Sequence, residues 1–126
     1  MKAIILIAAI SLTGCSSLKD YIPSRWDVNQ AKVITDLQQD ARRFNCDGNK
    51  LEQISKIQKD LEWFDIYATT KPTRDVAKLT APLNATVKEF KERAEKGPVS
   101  GIYCDLKKKI IIQQTDIIAG AVQGRF

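Results

Sequence analysis

Residues 49–68 read NKLEQISKIQKDLEWFDIYA, and their spacing predicts a helix. Leu51, Ile54, Ile57, Leu61, Phe64 and Ala68 recur at three- and four-residue steps, while Lys50, Glu52, Lys56, Lys59 and Glu62 fall between them. An apolar stripe with charge on the other side is what a helix lying on a core presents. Trp63, Ile66 and Tyr67 widen the stripe towards its end. Thr69-Thr70-Lys71-Pro72-Thr73 then breaks the pattern with residues suited to starting another helix.

The same period continues on both sides. Upstream, Trp26, Val33, Ile34, Leu37, Ala41 and Phe44 form one face of a helix expected over residues 27–44, closed by Asn45-Cys46-Asp47-Gly48. Downstream, Val76, Leu79, Leu83, Val87, Phe90 and Ala94 carry it from residue 74 to 96. Pro82 interrupts that segment, which implies a kink or two shorter helices meeting near Thr80. After Gly97-Pro98 a last helix is expected from residue 99 or 101 to 122. Its expected inward face is Ile102, Leu106, Ile110, Gln113, Ile117 and Ala121. Ile110-Ile111-Ile112 also suits a short strand, but the length and period of the segment favour helix. The expected fold is therefore all-α, a small antiparallel bundle of about four helices, the third kinked near Pro82.

Three cysteines constrain this bundle. Cys15 belongs to the chain's beginning, which leaves Cys46 just after the first helix and Cys104 near the start of the last. In an antiparallel bundle both positions fall at one end, so a Cys46–Cys104 disulfide is expected, provided the chain reaches an oxidising compartment. The crosslink would contribute roughly 4 kcal/mol on a chain-entropy account. No metal is expected, since the chain has no histidine and the two cysteines lack zinc-ligand spacing.

The beginning supplies the compartment. Met1-Lys2 is followed by the apolar run Ala3–Ile10, and the uncharged stretch to Gly14 is too short to span a bilayer. Leu12-Thr13-Gly14-Cys15 resembles the lipobox of bacterial lipoproteins. That resemblance covers residues 1–15 and implies cleavage before Cys15, with a covalent lipid on its thiol and no other cofactor. Expected organisation is thus a signal peptide over residues 1–14, a lipidated tether over 15–25 and a single domain over 26–126. Ser16, in place of the aspartate that retains enterobacterial lipoproteins at the inner membrane, favours the inner leaflet of the outer membrane, facing the periplasm. The uncleaved chain carries a formal charge of +5; without residues 1–14 it carries 19 basic against 15 acidic residues. Anionic lipid or peptidoglycan carboxylates are reachable partners for such a surface, which equally suits plain solvation; nucleic acid is not expected.

Catalytic chemistry finds little material. Without histidine there is no Ser-His or Cys-His nucleophile pair. Asp60 with Asp65 and Glu92 with Glu95 sit among lysines at helical spacing, the pattern of surface ion pairs. The chain is therefore read as a non-enzymatic module. Its candidate partner contacts are Trp63 and Tyr67, four apart on one face, and the cationic run Lys107-Lys108-Lys109. Core filling by the aromatics and ordinary solvation of the lysines are the competing readings. Trp26, beside the tether, suits either a membrane interface or packing over the base of the bundle.

The Trp63-Phe64 pair, the Tyr103-Cys104 segment with its lysines and the Gly124-Arg125-Phe126 ending are similar to small lipoproteins of tailed phages and prophages. That resemblance bears on gene context and brings no activity with it; the first reading is an envelope-binding module, which in a phage context takes the form of masking a surface receptor against superinfection. Inhibition of a periplasmic muralytic enzyme, which would need a protruding loop, and the outer-membrane subunit of a phage spanin are the alternatives.

Overall fold

The computed structural model describes residues 26–70 and 74–124. Five helices carry them, α1 (Val28–Arg43), α2 (Lys50–Thr70), α3 (Arg74–Leu79), α4 (Ala81–Lys96) and α5 (Gly101–Gln123), and no strand occurs among the described residues. The expected signal peptide, Cys15, the tether up to residue 25 and the terminal Arg125-Phe126 lie outside them.

Each helix begins and ends for a local reason. The Asp27 carboxylate accepts the backbone N–H groups of Asn29 and Gln30, at 2.9 and 3.1 Å, and so caps α1. Between α1 and α2 the chain turns on Asn45, whose side chain accepts the N–H of Asp47 at 2.9 Å. Gln53 locks that turn from within α2: its Oε1 accepts the N–H of Asn45 at 2.7 Å and its Nε2 donates to the carbonyls of Asn45 and Asn49. At the far end of α4, Gly97 has φ 150°, a conformation that only glycine adopts without strain, and Pro98 follows it. Ser100 then caps α5 by accepting the N–H of Tyr103.

The segment over 74–96 is two helices, not one kinked helix, and the break falls at Thr80. Pro82 stands in the first turn of α4, where its missing N–H would have had no helical partner anyway. The break is fastened from α2, because Asp65 accepts the Thr80 hydroxyl and the Asn84 amide, both at 2.6 Å.

α1 packs against α2 and α5, and α4 packs against the same two helices, with α3 lying against α2 and α5. Ile34, Leu37, Ile54, Ile57, Leu61, Phe64, Leu83, Phe90, Ile111 and Ile118 fill the space between them. Phe44, Phe90 and Tyr103 pack in sequence at one end with their rings tilted by 48 and 52°, ring centroids 5.4 and 5.8 Å apart. The Cys46–Cys104 disulfide closes that same end, with Cα atoms 5.8 Å apart and a sequence separation of 58.

α5 does not bury the face expected of it. Its buried residues are Cys104, Ile111, Thr115, Ile118, Ala119 and Val122. Ile102, Leu106 and Ile117 face solvent, at 85, 54 and 68% exposure. The helix is rotated by nearly half a turn from the expectation, because the disulfide turns Cys104 inward and the residues in phase with Cys104 follow it.

Candidate functional site

At the end of the domain where the chain enters, α2 and the start of α1 are tied together by one tyrosine. The Tyr67 hydroxyl donates to Asp27 at 3.1 Å and accepts from the Asn29 side chain at 2.9 Å. Asp27 is thereby both the helix cap and the anchor for α2. Trp63, one turn earlier, stacks on the Tyr67 ring with centroids 4.9 Å apart and planes 9° from parallel. The stacking uses one face of the indole; Trp63 remains 46% exposed. Ile66, three residues on, is 65% exposed, and Trp26 and Val28 are exposed beside Asp27. Tyr67 is thus a structural clasp, and Trp63 is the partner of the pair that meets solvent, with Ile66 exposed one turn further along α2 and Trp26 exposed just before the Asp27 anchor.

The lysine run at 107–109 is not one cluster in space. Lys107 is half-buried, reaches Glu89 of α4 at 3.0 Å and lies over the Tyr103 ring, which Arg93 also approaches. Lys108 is partly covered and Lys109 is exposed. Successive residues of a helix point about 100° apart, so three charges in a row are spread over its circumference.

A second exposed apolar surface runs along α5 through Ile102, Leu106 and Ile117. The sequence contains its periodicity in full, but that periodicity was assigned to the core. On this helix Asp116 turns instead to α1, where it accepts Gln38 and a two-pronged contact from Arg42, all between 2.8 and 2.9 Å. The hydrogen bond from Gln38, then that from Arg42, hold the Asp116 carboxyl below its ordinary pKa. On the other side of α1, Lys56 of α2 meets Asp40 and also reaches Asp60 at 3.2 Å. Its hydrogen bond to Asp40 is the main cause of a raised ammonium pKa.

Depressions open to solvent lie along Thr35, Gln38 and Arg42 of α1 and between Asn49, Leu51, Ala94 and Gly97. Neither gathers an acid, a base and a nucleophile. Among the described residues no three Cys, Asp or Glu side chains converge to hold a metal ion, and no helix is long and apolar enough to cross a membrane. No known protein-family model matches the chain, and no curated protein or solved structure matches it.

Proposed function

We propose that the chain is a lipid-anchored, non-enzymatic binding module of the bacterial envelope that presents the outer face of α5 to an envelope protein. The observation that carries this is the stripe Ile102, Leu106 and Ile117, three large aliphatic residues along one solvent-facing side of a helix that already buries its opposite side. Contiguous exposed apolar surface on a small domain marks an interaction site. The anchor is the lipobox cysteine, Cys15, and the location is the periplasmic side of the outer membrane. If the chain is phage-borne, the partner is a surface receptor protein, and masking it constitutes superinfection exclusion.

The arrangement of the four long helices supports a surface of this kind. We read them as an antiparallel up-down-up-down bundle: Asn29 near the start of α1 meets Tyr67 near the end of α2, while Asp40 near the end of α1 meets Lys56. Gln58 and Asp65 of α2 meet Lys91 and Asn84 of α4 in the same reversed order, as do Pro82 and Glu89 of α4 with Gln114 and Lys107 of α5. α2 and α5 each lie between α1 and α4 and so stand on a diagonal. Their outer faces point in opposite directions. The short turns Phe44–Asn49 and Gly97–Ser100 favour recognition by a helical face over the plugging of an enzyme cleft by a protruding loop.

The test is photocrosslinking in cells from position 106 or 117 of the full lipidated chain, followed by mass spectrometry of what is captured. The expected result is one envelope protein, lost in the Ile102→Ser/Leu106→Ser variant. A murein hydrolase or an inner-membrane lysis protein as the main product would transfer the function to the inhibitor or spanin class. Capture that persists unchanged in that variant would remove α5 from the interface.

A further inference from the structure

We propose that the end of the domain where the chain enters, with Trp26, Trp63 and Ile66 exposed there, lies in the headgroup region of the bilayer that holds the lipid anchor, so that the domain rests on the membrane. This rests on the reading of Cys15 as lipidated. Three observations lead to it.

The first is where the chain outside the structure ends. Residues 15–25 number eleven and deliver the chain to Trp26. However they run, eleven residues span at most roughly 40 Å. The patch at the chain entrance is therefore always close to the membrane surface, and contact with it becomes an intramolecular event at high effective concentration.

The second is chemistry. The patch presents two indoles and the aliphatic Ile66 on a rigid base, for Asp27 and Tyr67 hold the α1 and α2 portions together. Indole, with an apolar body and one polar N–H, is the side chain most favoured at a membrane–water boundary. The α5 stripe differs in kind: Ile102, Leu106 and Ile117 are purely aliphatic, which suits a dry protein contact.

The third is charge. Lys59 and Glu62 flank Trp63 and Ile66 along α2, and Lys32 is paired with Asp36 on α1 at 2.7 Å. Among the described residues that rim is balanced, so the attraction is apolar and does not depend on anionic headgroups.

The chain contains two tryptophans, and both are on this patch, so intrinsic fluorescence reports on it alone. The full lipidated protein is reconstituted into phosphatidylethanolamine–phosphatidylglycerol vesicles, with and without lipids brominated high on the acyl chain. Cofractionation on flotation and the mass of the Cys15 peptide establish the anchor in the same sample. The expected result is quenching of both indoles, resolved with Trp26→Phe and Trp63→Phe, by roughly two-fold in brominated vesicles, as for rings buried to the headgroup–acyl boundary. Quenching is expected to be unchanged from low to high salt and to fall in Ile66→Ser, whose helicity and flotation stay as in the parent. Protein that floats with lipidated Cys15 while its tryptophans emit equally in both vesicles overturns this proposal and leaves the anchor standing. Quenching abolished by salt overturns the apolar contact. An unmodified Cys15 overturns the anchor and this inference together.

Discussion

α2 and α5 are the longest helices, at 21 and 23 residues, and both lie between α1 and α4. They meet the core by different rules. In α2 the periodic apolar residues are the buried ones, from Ile54 through Ile57, Leu61 and Phe64 to Ala68, and only Leu51 in its first turn stays exposed. The rest of its circumference is mostly charged, so one orientation satisfies the hydrophobic effect. In α5 apolar residues occur all round. Two stripes of equal period compete, one through Ile102, Leu106 and Ile117, the other through Cys104, Ile111 and Ile118. Burial alone does not choose between them; a covalent bond does. The difference teaches that a helix with one apolar face is oriented by solvent, while a helix with two is oriented by its attachments, and the face left over is available for other work.

The largest effect follows from cutting that attachment. Cys46→Ala/Cys104→Ala is expected to lower stability by about 4 kcal/mol, the chain-entropy contribution of a loop this long, as urea unfolding would measure. A loss below about 1 kcal/mol would mean that packing alone orients α5 and would dissolve the contrast. Next come two adjacent isoleucines that separate the stripes directly. Ile118→Ala should cost about 3 kcal/mol by emptying a filled core position, whereas Ile117→Ala should stay within roughly 0.5 kcal/mol. Equal losses at the two positions would break the assignment of the α5 face.

Smaller still are the two polar ties that hold α1 to its neighbours, and they have opposite signs with pH. Asp116 has a depressed pKa in the folded protein. Its contribution is complete above the ordinary carboxylate range, about pH 4, and is lost as pH falls through the lowered value. Lys56 has a raised pKa. Its contribution is complete below the ordinary lysine range, near about pH 10, and is lost as pH rises through the raised value. Both pairs are substantially exposed, so Asp116→Asn and Lys56→Gln should each cost less than about 1 kcal/mol at neutral pH. Denaturation across pH should show the Asp116→Asn deficit vanishing in acid and the Lys56→Gln deficit vanishing in strong base. A deficit of either variant that is flat with pH would show that the lost contact is packing and not charge.

The fold class was legible because period and turn chemistry agree over most of the chain. Asp27, Asn49, Gly97 and Ser100 stand where helices must start or stop. The disulfide was legible by elimination once Cys15 was assigned elsewhere. The face of α5 was not, for two reasons. The buried stripe contains Thr115, whose hydroxyl turns back to the Ile112 carbonyl at 2.9 Å, so a polar letter hides a core position. Lys107 disguises another, its stem half-buried over Tyr103 while its ammonium reaches Glu89. Yet the answer was one step away, since a bonded Cys104 must point inward, and Ile111, Ile118 and Val122 keep phase with it. The break near Thr80 was legible from Pro82, while its fastening to Asp65, fifteen residues distant, was announced by no local pattern. The exposed patch was half legible: Trp63 and Ile66 stood together in the α2 pattern, while the approach of the chain entrance at Trp26 depended on the Tyr67–Asp27 clasp.

The disulfide has a mechanical consequence as well. Because it joins Cys46 to Cys104, residues 46–104 form a closed loop that cannot be drawn out by tension on the chain ends. A load applied between the entrance at Asp27 and a grip on α5 passes along α1, across the sulfur bridge and into α5, leaving α2, α3 and α4 outside the path. Even if α1 gives way completely, the nineteen residues from 27 to 45 stretch from a helical span of about 28 Å to an extended length of about 65 Å, which releases roughly 37 Å before the bridge takes the force. The element that sets the rotation of α5 is thus also a stop that limits how far the molecule can stretch.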